Sequence, residues 1–205
     1  MDDLIVLLKM NRLLVVLDLD ETLIHATTKE DLGEPDFDME GWKVYKRPHL
    51  NRFLDYCFEH FDVAVWTSAG ELFADGIVTQ IMPSRALKFV WSAERCTQHF
   101  NSETLEYYPR KLLKKICRRG WSANRIVAID DTPSKWEASY GNYVQVLPFF
   151  GDRTDRELLD LQEYLSSLIS VESVREIDKR NWRTQVEKSE QAEQAVSPKS
   201  DRAGG

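Results

Sequence analysis

The sequence predicts an α/β fold in which helices flank a parallel sheet, with a small antiparallel β insert. Three observations predict it. Apolar runs of strand length recur at residues 13–17, 61–66, 125–129 and 143–147, and helical patterns lie between most of them. Strands that alternate with helices pair in parallel and are covered by helices on the faces of the sheet. One stretch, residues 88–108, instead holds short strand-like pieces with no helical period, which suggests the insert.

Taken in order, residues 13–17 (LLVVL) form an unbroken apolar run, as a strand buried on both faces requires. Two carboxylates, Asp18 and Asp20, follow at its exit. Residues 26–46 contain Gly33, Pro35 and Gly41 and read as a loop or irregular hairpin. Pro48 opens a helix to His60, with Leu50, Phe53, Leu54, Cys57 and Phe58 at helical spacing. Ser68 and Glu71 have the spacing of a capping box, so a helix should start just after the strand that ends near Thr67. Within 88–108 the strand-like pieces are 88–92, 95–100 and 105–108.

Pro109 is placed to open a helix running to Arg119, with Gly120 to close it. Thr132 before Pro133 reads as an N-cap and first helical position, and Thr154 with Glu157 as a second capping box, before a helix to about Leu168. From Asp178 the chain turns polar, and residues 185–205 carry almost no apolar side chains. That composition predicts a single domain over 1–180 and a disordered tail over 181–205. No internal repeat is visible.

Composition narrows the function classes. A chain of 205 residues with 42% hydrophobic content can bury one substantial core. A net charge of −7 argues against a general nucleic-acid or anionic-membrane surface. An anionic substrate must then find a local positive pocket. Three cysteines, Cys57, Cys96 and Cys117, with no Cys-x-x-Cys, support neither a disulfide framework nor a zinc knuckle and fit a reducing cytoplasm. Lys9, Asn11 and Arg12 interrupt the N-terminal apolar residues, so no signal peptide or membrane span is expected.

The residues that could carry chemistry fall at strand ends: Asp18 and Asp20; Thr67 and Ser68; Lys111 at a helix start; Asp130 and Asp131. In a parallel sheet the carboxyl ends of the strands line one crevice, so these groups can converge. Carboxylates, a hydroxyl and a lysine without a histidine cluster suit a hard cation beside a phosphate, and Mg²⁺ is the natural ion. Thr67 and the amides of the next helix can hold phosphate oxygens, while Lys111 supplies a point charge. One aspartate of the pair can attack phosphorus and the other can move a proton to and from the leaving and entering oxygens. His25, His49, His60 and His99 show no ligand spacing. Trp42, Tyr45, Trp91, Phe100, Tyr107 and Tyr108 are placed to pack the core or a lid, or to grip substrate beside the cleft.

Residues 18–23 (DLDETL) resemble the DxDx(T/V)L signature of the haloacid dehalogenase (HAD) superfamily of phosphohydrolases. Residues 46–49 (KRPH), 66–69 (WTSA) and 129–133 (IDDTP) resemble its C-terminal-domain phosphatase branch, of FCP/SCP or NLI-interacting-factor-like type, and the resemblance runs from about residue 13 to 168. It implies a Rossmann-like sheet and a Mg²⁺-dependent phosphatase working through an aspartyl-phosphate. On that resemblance Asp18 is the nucleophile and a metal ligand, and Asp20 is the general acid/base and binds metal through its carbonyl. Thr67, with Ser68 beside it, and Lys111 bind phosphate; Asp130 completes the metal shell, and Thr22 and Asp131 support the site. Phosphoserine or phosphothreonine in protein is the substrate it implies. A small-molecule phosphatase and a non-catalytic binding module of the same fold are the alternatives.

Overall fold

The computed structural model describes residues 12–29 and 32–196. Its centre is a five-stranded sheet in the order β10-β9-β1-β5-β6, where β1 is Leu14–Leu17, β5 Asp62–Trp66, β6 Val90–Trp91, β9 Ile126–Asp130 and β10 Tyr143–Gln145. Every neighbour pairs in parallel, with Leu17 opposite both Val65 and Ile129. The expected parallel sheet is therefore present, and β1 lies in its middle.

Side chains alternate across this sheet with the period of two that a strand imposes. Val15, Leu17, Val63, Val65, Val127 and Ile129 face one side. There they meet α1 (Leu50–His60), α2 (Glu71–Ile81) and α4 (Glu157–Leu168). Leu14, Val16, Ala64, Trp66, Ile126 and Ala128 face the other, where Trp91, Trp136 and Ile116 of the short α3 (Lys114–Cys117) cover them. Because both faces are covered, the strand interiors are apolar, and the carboxylates that could act on a ligand gather at the carboxyl termini of β1 and β9.

Several segments depart from the sequence reading. Residues 24–46 form an antiparallel sheet in the order β2-β4-β3, from β2 (Ile24–Thr27), β3 (Phe37–Met39) and β4 (Trp42–Lys46). Met39 pairs with Trp42, and the two residues between them, Glu40 and Gly41, both take positive φ (50° and 86°), as a tight hairpin turn requires. Within 88–108, β6 joins the main sheet, so the antiparallel insert is only β7 (Thr97–Asn101) with β8 (Glu106–Arg110).

Pro109 lies inside β8, opposite Gln98, rather than at a helix start, since a two-stranded ribbon has a free edge where a missing N–H costs nothing. The capping boxes do not form. Gly70 precedes α2 without a side-chain cap, and at α4 it is Asp155 Oδ1 that accepts from the Glu157 N–H at 2.9 Å. Pro133 opens a 3₁₀ segment, Pro133–Asn142.

The expected tail is helical over α5 (Trp182–Val196). Trp182 and Val186 are buried in the core cluster, and their apolar stripe is too sparse to register in composition. Residues 197–205 lie outside the described residues, as does the N-terminal stretch of the signal-peptide reading up to residue 11.

Candidate active site

β1 ends at Leu17, and the backbone N–H of Asp18 extends the ladder to Ile129 O at 3.0 Å. The chain then turns sharply. Leu19 O accepts from Thr22, Leu23 and Ile24, and Glu21 takes a φ of 55°. Arg47, wholly buried, locks this turn: it donates to Thr22 O at 3.1 Å and forks onto Asp155 at 2.9 and 2.8 Å. The bend directs Asp18 and Asp20 to different surroundings.

Asp18 is 2% exposed and sits among charges. Its Oδ2 accepts from Lys135 Nζ at 2.8 Å. Its Oδ1 lies 3.0 Å from Lys111 Nζ, an ionic approach without hydrogen-bond alignment, so that oxygen has no hydrogen-bond donor among the described residues. Lys111 Nζ also donates to Asp130 Oδ2 at 2.6 Å, bridging the ends of β1 and β9. Asp130 is fully buried and saturated: Trp136 Nε1 donates to Oδ2 at 2.9 Å, the Thr132 N–H to Oδ1 at 3.0 Å, and Lys135 lies 3.3 Å from Oδ1. Asp131 is 16% exposed, with Lys135 3.7 Å away. Asp18, Asp130 and Asp131 each bring a carboxylate oxygen within 4.8 Å of the others. Three carboxylates at that spacing, one of them with a buried oxygen lacking a donor, fit a divalent metal ion.

Asp20 differs. Burial, then the charges of Asp18 and Glu21, push its carboxyl up to about 7 against the pull of Lys135 and Lys111. It lines a groove of about 400 Å³ with Trp42, Phe73, Ala69 and Gly70. Two neighbouring carboxylates thus sit in different surroundings: Asp18 lies between two lysine ammoniums, while Asp20 is poised near neutrality.

Thr67 directly follows β5, the strand next to β1. It is 1% exposed, its N–H donates to Trp91 O at 2.8 Å, and its Oγ1 accepts from the Ala69 N–H at 3.1 Å. Ser68 follows it, half-buried, at the rim. Thr22 is buried, with no partner for its hydroxyl among the described residues. The residue that sequence reasoning missed is Lys135, whose ammonium lies among all three carboxylates. Burial opposes its charge, yet Asp18, Asp130 and Asp131 outweigh that and raise its pKa. Trp136 is a second such residue: its indole N–H donates to Asp130 Oδ2, a role that no sequence pattern marked. Of the aromatics, Trp42 lines the groove, Tyr45 and Trp91 are buried, and Phe100 and Tyr107 stand exposed on the insert.

Residues 13–175 match the family model described as NLI interacting factor-like phosphatase. The chain belongs to this family. It is 31% identical over 169 residues to the Dictyostelium discoideum CTD small phosphatase-like protein 2, covering 78% of this chain and 28% of that one. It is 31% identical over 185 residues to the Drosophila melanogaster CTD nuclear envelope phosphatase 1 homolog, covering 82% and 72%. Against three of its relatives the chain spans 28% to 52% of their length.

Among solved structures it resembles fission yeast RNA polymerase II CTD phosphatase Fcp1-R271A bound to beryllium fluoride. There the TM-score is 0.53 at 18% identity, over 99% of this chain and 62% of that one, a likeness of fold. Among the described residues no helix is long and apolar enough to cross a membrane.

Proposed function

We propose that this family member hydrolyses phosphate monoesters through an aspartyl-phosphate on Asp18, with phosphoserine or phosphothreonine in protein as substrate. The observation that carries it is the gathering of Asp18, Lys111, Asp130 and Asp131, from three separate segments, into one buried cluster. Burying two carboxylates against a lysine is costly unless a function needs the charge there.

In this reading Asp18 Oδ1, the oxygen without a donor, attacks phosphorus. Asp20, poised near 7, gives its proton to the departing alcohol oxygen and later takes one from the water that cleaves the intermediate. Lys111 and Thr67 hold phosphoryl oxygens, with Ser68 at the rim. Asp130 acts mainly by anchoring Lys111, because its oxygens already accept from Lys111, Trp136 and the Thr132 N–H. The metal is Mg²⁺; Asp18 and Asp131, with the Asp20 carbonyl, would hold it, Asp131 taking the place that the resemblance gives to Asp130, and it would supply positive charge against the phosphoryl oxygens.

The protein substrate is supported by the names of the relatives and by the Trp42–Phe73 groove beside Asp20, which suits a side chain neighbouring the phosphorylated residue. A cytoplasmic placement rests on three free cysteines.

The test measures hydrolysis of an aryl phosphate and of phosphopeptides by the full chain, with and without a chelator. Chelation and Asp18→Asn are each expected to remove turnover, the latter by on the order of 10⁴-fold. Beryllium fluoride should raise the melting temperature of the native protein and leave Asp18→Asn unmoved. Full activity in Asp18→Asn would refute the mechanism.

A further inference from the structure

The edge of the sheet beyond Thr67 carries a second cavity, of about 390 Å³, lined by Trp91, Glu94, Arg95, Lys115, Arg118 and Arg119. Four of these six residues are cations, on a chain whose net charge is −7. Among the described residues none of the four forms an ion pair with a carboxylate, and the single acid present, Glu94, is engaged by the Ser92 hydroxyl.

The cations are held in place. Arg95 and Arg119 lie over the Trp91 ring at 5.5 and 5.9 Å, and Lys115 Nζ donates to Arg95 O at 2.6 Å. Trp91 itself is 5% exposed and packs on Phe89 and Trp66. Guanidinium groups kept this close without a counter-charge repel one another, and an anion arriving between them relieves that repulsion.

The backbone around the cavity is bonded to Thr67, at the phosphate end of the cleft. Trp91 O accepts from the Thr67 N–H, and Cys96, which follows Arg95, donates its Sγ to Thr67 O at 3.8 Å.

We infer that this cavity is an accessory anion site that binds an acidic or additionally phosphorylated segment flanking the target residue in a protein substrate. The inference rests on the protein-substrate reading above and adds a specificity to it. Such a site raises affinity for acidic phosphoproteins without touching the chemistry at Asp18.

The experiment measures binding first, so that it does not depend on turnover. Fluorescein-labelled phosphoserine peptides, one flanked on both sides by aspartates and one by alanines, are titrated against the full chain carrying Asp18→Asn. Arg118→Glu with Arg119→Glu, both exposed positions, is expected to weaken binding of the acidic peptide by about tenfold and leave the alanine peptide unchanged. Arg118→Lys with Arg119→Lys should keep most of the affinity, and hydrolysis of an aryl phosphate by the same variants on an otherwise native chain should stay within about twofold.

Equal binding of the acidic peptide by the charge-reversed chain overturns the inference. So does equally tight binding of an RNA oligonucleotide or of anionic vesicles at the same ionic strength, which would mark a general polyanion surface. If aryl phosphate is hydrolysed but no phosphopeptide is, the protein-substrate reading fails, while the binding titration still decides the cavity separately.

Discussion

Lys135 Nζ donates to Asp18 Oδ2 at 2.8 Å, so a tethered ammonium occupies the carboxylate that a divalent ion would share. The same ammonium lies 3.3 Å from Asp130 and 3.7 Å from Asp131. Lys135 therefore neutralises the cluster in the metal-free chain and opposes a cation entering it. Lys135→Met is expected to bind Mg²⁺ about tenfold more tightly in calorimetric titration, as one positive charge is removed from the site. The metal-free variant should lose about 1–3 kcal/mol of stability, because Asp18 loses its donor. Unchanged affinity would remove Lys135 from the ion's coordination space.

Asp20 sets a pH dependence. Its carboxyl, at about 7 in the folded chain, must be protonated to give a proton to an alcohol, so turnover of a phosphoserine peptide falls as pH rises past neutrality. An aryl phosphate has a stable leaving anion and needs that proton less. Asp20→Asn is expected to cost about 10²–10⁴-fold on the peptide and markedly less on the aryl ester. Equal losses on the two esters would place Asp20 outside proton transfer.

The same carboxyl makes a stability statement. Its folded value lies above its ordinary 3.8, so the folded state binds more protons between the two. The contribution is whole below 3.8 and lost as pH rises through about 7. In the metal-free protein, Asp20→Asn is expected to raise the melting temperature at pH 8 relative to the native chain and to leave it nearly unchanged at pH 4, which scanning calorimetry reads directly.

What the sequence disclosed follows the same physics. Leu14–Leu17 and Ile126–Asp130 were legible because strands buried on both faces must be apolar throughout, which makes the carboxylates at their ends conspicuous. Lys135 was not, since its role exists only once a 3₁₀ turn returns it to Asp18, 117 residues away. Pro109 misled because proline is as acceptable on a ribbon edge as at a helix start, and local sequence cannot tell the two apart. The Glu40–Gly41 turn lacks the Asn-Gly or Asp-Gly dipeptide that marks a hairpin, so β2 to β4 read only as a loop or irregular hairpin and not as a three-stranded sheet.

Arg47 ties the turn after Asp18 to the start of α4. Its side chain is wholly buried, with Asp155 as partner and Phe149 under the guanidinium at 5.5 Å. Arg47→Met leaves Asp155 unpaired and frees Thr22 O, a loss of about 3–5 kcal/mol in a guanidinium unfolding curve. Adding Asp155→Leu should recover part of it, since the stranded carboxylate is then gone. Additive losses in the double variant would deny the coupling.

Trp42 decides whether the groove beside Asp20 reads substrate. The ring is 41% exposed and meets Phe73 edge-on at 6.3 Å, forming one wall of the cavity that opens next to the Asp20 carboxyl. A half-exposed tryptophan with a rigid aromatic neighbour loses little entropy on covering an apolar side chain, and burying its free area is worth about 1–2 kcal/mol. Trp42→Ala is therefore expected to raise KM about tenfold for phosphopeptides with an apolar residue beside the phosphoserine, with kcat and aryl phosphate hydrolysis unchanged. An equal rise for peptides with glycine at that position would show that the wall only shapes the site and does not select its occupant.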